Sequence, residues 1–299
     1  RRTDRRGAQQ ERKENRMRTR IFNKMTAKEV EAYLARGGDT IFLGIGVVEC
    51  HGAMPNDVET IIPEAYATLL AEKADGLSLI NLPYFYPGGT LCSNATVHIS
   101  IRDGIDYLEK ICTSLVDQGF RRIYLVSGHG PSSLTIDAFC RDFFEKTLVH
   151  PCHILSGCLS AMALGEKDFF SPAVREAFPY VTYGAYKVMN QVDDLPLTPE
   201  AVEERAFHKD TEPEMANFAR LFSPYGGRVS QIYSDPDEHG GGLLFRTAEE
   251  RTAICEEGEK QIRTIVDKTN IVELNDALAV YQDYARKLAA RIPRLSKRL

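Results

Sequence analysis

The chain has 299 residues, of which 43% are hydrophobic and 26% are charged. This is the composition of a globular protein that buries a large core, and it excludes a fibrous or disordered chain. The net charge of −5 is uneven, because residues 1–20 carry nine Lys or Arg against three acids. The rest of the chain is therefore acidic, and we expect no nucleic-acid partner, since such partners are bound by neutralising phosphates.

The basic segment 1–20 contains no apolar run. We predict that it is a disordered tail before a single α/β domain over residues 21–299. No stretch approaches the roughly 18 apolar residues of a membrane span, so no membrane partner is expected. The seven cysteines are irregularly spaced and do not suggest a disulfide framework. A cytoplasmic location is the expectation that fits them.

Strands and helices are predicted to alternate along the first half of the chain. Thr26 and Glu29 form a capping box before a short helix that stops at Gly37-Gly38. Strands are predicted at 40–48, 77–82, 122–127 and 153–156, with helices at 63–74, 103–118 and 133–146. The strands are apolar on both faces, which is typical of a covered, parallel sheet. The pattern therefore predicts βαβ units in an α/β fold.

The second half of the chain is less regular. Helices are predicted at 172–177, 198–221 and 246–268, and a last one begins near Asn275. The Gly- and Pro-rich piece 223–242 is predicted to be a loop with a short strand at 227–232.

Two of the predicted strands end in a histidine. The first ends in Val48-Glu49-Cys50-His51-Gly52 and the third in Ser127-Gly128-His129-Gly130. Ligands of parallel α/β sheets bind at the carboxyl ends of the strands. On an extended strand, residues i and i+2 share a face, so Glu49 and His51 are predicted to point the same way and Cys50 the other.

A carboxylate with two imidazoles suits Zn²⁺ or Mn²⁺. A further acid lies in the following loop, where Asp57 or Glu59 could bridge two ions. Either histidine alone is more often a satisfied polar residue than a ligand. Both histidines together with Glu49 and the acidic loop favour a metal site.

The order of these motifs resembles the creatininase family of amidohydrolases. The matching pieces are Gly46-Val-Val-Glu49-Cys-His51-Gly52, Met54-Pro55 with Glu59, Leu82-Pro83, and Gly119-Phe-Arg-Arg-Ile-Tyr-Leu-Val-Ser-Gly128-His129-Gly130. The resemblance is good over residues 40–135 and looser from 195 to 268. It implies a three-layer α/β/α fold with a mainly parallel sheet, a homohexamer, and two divalent ions bridged by a carboxylate.

The resemblance also implies roles for single residues. Glu49 and His129 resemble ligands of one ion, and His51 resembles a ligand of the other. The bridging acid stands four residues after the family's Leu-Pro, and counting four from Pro55 gives Glu59. Asp57 is the reserve choice. This loop is also one residue shorter than the family's usual loop.

A second resembling region spans Phe207 to Met215. It implies that His208 stands near the reacting bond and that Glu214, or Glu212, supplies a further acidic ligand and a catalytic group. The alternative is an ordinary helix start, where acids favour the positive end of the dipole.

Two departures from the family pattern matter. Pro131 stands where creatininase itself has a metal-binding acid two residues after the histidine, and the chain has no Trp to close over a flat ring. Creatinine itself is therefore not the expected substrate.

The expected activity is that of a metal-dependent hydrolase. One or two divalent ions per chain, Zn or Mn with Fe as a further possibility, would activate a water molecule to open a small polar cyclic substrate. That substrate would be a cyclic amide or formamide, or a cyclic ketone such as a dehydro-inosose. The alternative is a catalytically inactive relative that binds or assembles. The sequence contains neither the Gly-x-Gly-x-x-Gly nor the Walker motif of nucleotide-binding proteins. It also lacks the Gly-x-Ser-x-Gly motif of serine hydrolases, so neither function is expected.

Overall fold

The computed structural model describes residues 17–52, 54–91, 94–168, 171–197, 213–225, 230, 232–233 and 245–292. Its sheet has four strands: β1 (Thr40–Ile45), β2 (Leu77–Leu82), β3 (Arg122–Ser127) and β4 (Cys152–Leu155). They pair in the order β2-β1-β3-β4, and every pair is parallel. The predicted parallel sheet is thereby confirmed.

Helices account for most of the remaining described chain. They are α1 (Ala27–Ala35), α2 (Val58–Lys73), α3 (Ile101–Gln118), α4 (Ser133–Thr147), α5 (Ser156–Leu164), α6 (Pro172–Val188), α7 (Pro213–Phe222), α8 (Ala248–Asp267) and α9 (Ile271–Ala290). In the part of the chain that the structure describes, no helix is long and apolar enough to cross a membrane.

The sheet is covered on both faces, as the apolar strands predict. Phe42 and Tyr124 stack on one face, where α2, α6, α8 and α9 supply most of the packing residues. Ile41, Leu43 and Leu125 point to the other face, against α1, α3 and α4. The alternation of strand residues between two cores gives the three-layer α/β/α fold.

Helix starts were the least accurate part of the sequence prediction. Pro63 does not open α2 but lies inside it, one turn after Val58. Asp103 is not the cap of α3, because Ser100 holds that position and accepts from the Asp103 backbone N–H. The last helix begins at Ile271 rather than near Asn275.

Other boundaries differ in extent. The helix predicted at 172–177 continues to Val188, and Pro179 does not end it. α7 is the described part of the helix predicted at 198–221, and residues 198–212 lie outside the described residues. Most of the strand predicted at 227–232 and residues 1–16 of the predicted tail also lie outside them. Residues 17–20 contact the domain, because Arg20 pairs with Asp75 and its carbonyl accepts from Ser78.

Candidate metal centre

Three buried ligand-type side chains meet at the carboxyl edge of the sheet. Glu49 follows β1, Glu59 lies in the first turn of α2, and His129 follows β3. Glu49 Oε1 lies 3.0 Å from His129 Nδ1, and Glu59 Oε2 contacts the same nitrogen. One ligand atom from each of the three residues lies within 4.8 Å of the others. The predicted neighbours thus form one compact donor set.

His51 lies beside this cluster, and its backbone contact defines its tautomer. Its Nδ1 is 3.2 Å from the Glu49 carbonyl oxygen. A carbonyl only accepts, so Nδ1 donates to it, and in the neutral imidazole Nε2 then carries the lone pair. Nε2 lies 3.9 Å from Glu59 Oε1. The two oxygens of Glu59 therefore face different imidazoles, Oε1 towards His51 and Oε2 towards His129.

Burial and neighbouring charges shift the pKa values of Glu59 and His129. Burial raises the pKa of Glu59 to about 7, and the neighbouring Glu49 raises it while His129 lowers it. Burial lowers the pKa of His129, but Glu59 and Glu49 outweigh it and raise that pKa to about 10. Two buried carboxylates thus attract positive charge strongly. A divalent cation meets the same attraction, so the donor set fits a metal ion.

The segment that carries Glu49 and His51 is a tight loop rather than strand. β1 ends at Ile45, earlier than predicted. The Glu49 N–H donates to the Asn56 carbonyl and the Met54 N–H donates to the His51 carbonyl. These bonds turn the chain back on itself between Glu49 and Asn56. Backbone bonds within this loop, not an extended strand, bring both side chains to the site.

A close approach of α2 to the strand ends brings Glu59 to the cluster. Gly46 follows β1, and a Cβ atom there would lie 2.7 Å from Thr60 Cα. A Cβ atom on Gly128 would lie 3.0 Å from Pro63 Cδ. Both positions therefore need glycine because the first turns of α2 pass directly over them.

Thr90 orients Glu49 from the loop after β2. Its Oγ1 donates to Glu49 Oε2 at 2.5 Å, and its carbonyl accepts from Thr96 Oγ1 at 2.8 Å. The loop turns at Gly88, whose φ is +72° and whose Cβ position would lie 2.9 Å from Pro131. This role of Thr90 was not predicted from the sequence. The Pro-Gly-Gly-Thr turn after a buried strand was the available signal.

The remaining predicted residues lie elsewhere. Asp57, the reserve bridging acid, accepts a hydrogen bond from the Tyr186 hydroxyl. Glu214 is exposed in the first turn of α7 and does not join the cluster of Glu49, Glu59 and His129. His208 and Glu212 lie outside the described residues. The roles assigned to these four residues stay predictions.

A Ser–His–Asp series lies behind His129. Asp137 Oδ1 is 2.8 Å from His153 Nδ1, and His153 Nε2 is 3.1 Å from Ser127 Oγ. Ser127 is fully buried, and its hydroxyl is also 3.5 Å from the His129 carbonyl oxygen. A serine nucleophile needs contact with substrate, so this series supports the backbone at His129 rather than forming a serine hydrolase site.

Comparison with known protein families identifies one that matches most of the chain. The model of the creatininase family, described as creatinine amidohydrolase, matches residues 23–269. The chain belongs to the creatininase family. A creatinine amidohydrolase of Pseudomonas putida is 30% identical over 129 residues, which are 39% of this chain and 47% of that protein. The alignment thus spans about half of that relative.

Solved creatininases share the fold. A tryptophan-to-phenylalanine mutant of creatininase is 20% identical, with a TM-score of 0.55 over 87% of this chain and 98% of that chain. A crystal structure of creatinine amidohydrolase is 20% identical, with a TM-score of 0.52 over 83% and 96%. A structure described as creatininase Mn is 18% identical, with a TM-score of 0.50 over 82% and 96%. At these identities the likeness establishes the fold alone.

Proposed function

We propose that this chain is a divalent-metal-dependent hydrolase that opens a small, polar, cyclic substrate. The observation that carries the proposal is the position of Glu59. Its Oε2 meets His129 beside Glu49, and its Oε1 faces His51 at 3.9 Å. A carboxylate between two imidazoles can serve one ion or bridge two.

The ligands of the metal would be Glu49, His51, Glu59 and His129. Their mixed nitrogen and oxygen donors suit Zn²⁺ or Mn²⁺, with Fe²⁺ a third choice. When bound, such an ion supplies a Lewis acid and lowers the pKa of water towards about 7. Glu214 remains a proposed further ligand and catalytic group, supported by the family pattern alone.

The protein's own contribution is to hold these donors in place. Thr90 donates to Glu49 and so directs the other carboxylate oxygen at His129. The Glu49 carbonyl in turn fixes the tautomer of His51. Contacts of this kind orient ligands and typically change metal affinity by about 10- to 100-fold. His208 is proposed to deliver the proton to the leaving group.

The proposed substrate is a cyclic amide, a formamide, or a cyclic ketone of the dehydro-inosose type. The absence of Trp from the sequence disfavours a flat heterocycle held by stacking. A hydroxylated ring would instead be held by hydrogen bonds. We further propose a homo-oligomer, a hexamer by analogy with the family, in the reducing cytoplasm. The six cysteines that the structure describes are free, which supports this location.

The test is metal-dependent turnover. The chain is stripped with a chelator, reloaded with Zn²⁺ or Mn²⁺, and screened against cyclic amides, formamides and keto-inositols. Glu59→Gln is expected to lower kcat/KM at least about 100-fold, because the carboxylate that faces both imidazoles is lost. Glu64→Gln is the matched control, since Glu64 is another buried acid of α2 and its oxygen accepts from the Asn81 N–H instead. Equal turnover by wild type and Glu59→Gln would contradict the proposal.

The role of His208 needs a separate variant. His208→Gln is expected to lower kcat by about 10²- to 10⁴-fold, the usual contribution of a general acid. The metal content should stay that of the wild type. A loss of metal in this variant would make His208 a ligand instead.

An inactive binding or assembly subunit is the second candidate. Pro131 favours it, because a proline cannot replace the acid that creatininase has at that position. Metal content separates the two candidates, since an inactive subunit would retain little metal after dialysis.

A further inference from the structure

The last helix, α9, packs on the domain through one narrow stripe. Its buried residues recur every three or four positions: Ile271, Asn275, Leu278, Gln282, Ala285 and Ala289. Asn275 Oδ1 accepts from Thr40 Oγ1 at 3.3 Å and from the Tyr124 hydroxyl at 3.1 Å. Gln282 Nε2 donates to the Arg121 carbonyl at 3.1 Å. These buried polar contacts fix the rotation of α9 about its own axis.

A second stripe runs along the same helix beside the buried one, each member one position before a buried residue. We call it the α9 seam, and it consists of Leu274, Ala277, Tyr281, Tyr284 and Leu288. Its members are spaced by three, four, three and four residues, the spacing of a helix–helix contact. Tyr284 is 60% exposed, and Leu274 and Leu288 are each 41% exposed. Single exposed apolar residues are ordinary, whereas a seam about 21 Å long is typical of a contact surface.

The domain supports one side of the seam. Tyr281 stacks on Phe144 of α4 with ring centroids 5.9 Å apart, and His150 meets Tyr281 edge-on. Val280 extends the apolar surface and is 72% exposed. The seam is therefore held rigidly, which lowers the entropy cost of binding to it.

The charges of α9 identify the partner. Glu273 lies in the first turn of α9 and Lys287 in the last, and each directly precedes a seam residue. A second copy in antiparallel orientation brings each acidic end beside a basic end. A parallel copy would place like charges together. Such an antiparallel arrangement is the two-fold contact of most homodimers.

The register follows from one pair of residues. Glu273 and Lys287 lie seven positions on either side of Val280. A two-fold axis near Val280 therefore places Glu273 of each copy opposite Lys287 of the other. Lys287 now pairs with Asp283 on its own helix, and both side chains are more than half exposed, so the ammonium group can contact a second acid.

We propose that two copies of this chain associate through the α9 seam in antiparallel orientation. The helix begins at Ile271, after the segment matched by the family model ends at residue 269. The contact is therefore built by residues outside that segment, and it does not depend on the proposed activity.

The test is the mass of the full chain by sedimentation or light scattering at about 100 µM, where a micromolar contact is populated. The wild type is expected to be a dimer or a multiple of one. Tyr284→Glu should weaken the contact at least about tenfold and release a smaller assembly. Val272→Glu is the matched control, because this 45% exposed residue lies on α9 away from the seam. It should leave the mass unchanged.

A charge exchange tests the orientation. Glu273→Lys and Lys287→Glu should each weaken association, and the double variant should restore it. Only an antiparallel contact predicts the restoration. A monomeric wild type, including one whose seam binds anionic lipid vesicles instead, would overturn the proposal. So would a mass that Tyr284→Glu leaves unchanged while thermal melting shows a folded chain.

Discussion

The two edges of the sheet place acids in opposite surroundings. At the amino edge, Asp39 precedes β1 and accepts from Arg122 at the start of β3. Asp75 precedes β2 and pairs with Arg20 and Arg36. These acids are partly exposed and have guanidinium partners, whose charge does not depend on pH. Arginine side chains of the protein therefore neutralise the acids at the amino edge.

At the carboxyl edge the acids are buried and face imidazoles. Glu49 and Glu59 both contact His129, which is positive only while it is protonated. Burial of two carboxylates is costly without a positive charge beside them. The same residue type is therefore structural where arginine accompanies it and suited to a cation where histidine does.

The largest effect is expected for Glu49→Gln. The amide removes one of the two charges that attract a cation, so metal affinity should fall by at least about 100-fold. The matched amino-edge change is Asp39→Asn, which should leave metal affinity unaltered. Calorimetric titration of the chelated proteins with Zn²⁺ measures both. Similar losses of zinc affinity in the two variants would contradict the proposed difference between the two edges of the sheet.

Next is Gly46→Ala, which tests how α2 delivers Glu59. The new methyl group would lie 2.7 Å from Thr60 Cα, so the backbone of α2 must move. We expect a loss of about 1–3 kcal/mol in the free energy of unfolding together with weaker metal binding. Gly130→Ala is the control, since nothing lies within 4 Å of its Cβ position. Thermal melting compares the two, and equal stability would refute the close approach.

A smaller effect is expected at Thr90. Thr90→Val removes the hydroxyl that donates to Glu49, and the affinity for metal should fall by about tenfold. Thr90→Ser keeps the hydroxyl and should behave as the wild type. If valine and serine give the same affinity, the hydroxyl does not orient the ligand.

The smallest effect is expected for Asp75→Asn at the amino edge. Burial would raise the pKa of Asp75, but hydrogen bonds from Arg36 and Arg20 outweigh it and lower the pKa. A lowered pKa contributes stability above the unfolded value of about 3.9 and loses it as the pH falls. Because the side chain is 59% exposed, solvent screening limits the effect to about 0.2–1 kcal/mol at neutral pH. Unfolding in urea should show a smaller difference between wild type and variant at pH 3 than at pH 7.

The parts of the fold that the sequence predicted well are those specified by local patterns. β2 and β3 have the predicted ends, and the Thr26–Glu29 capping box is present. Pro63 misled the prediction of α2, because a proline is tolerated inside a helix when packing compensates for its lost hydrogen bond. The extent of α6 was missed for a related reason, since Pro179 lies within it.

The residues of the site could be predicted from the sequence more fully than their arrangement could. Glu49, His51 and His129 could be named because strand ends of a parallel sheet share an edge. Spacing favoured Glu59 and kept Asp57 in reserve, but the contacts that separate the two acids depend on a helix turn and on Tyr186 from a distant part of the chain. The contact of Thr90 with Glu49 likewise depends on a turn 41 residues away in the chain.

The most direct test of a metal centre at the carboxyl edge is elemental analysis of the protein purified without added metal. The wild type should retain about one to two equivalents of Zn, Mn or Fe per chain, and His51→Ala should retain less. No stoichiometric metal in the wild type, even after Zn²⁺ and Mn²⁺ are supplied, would contradict the account.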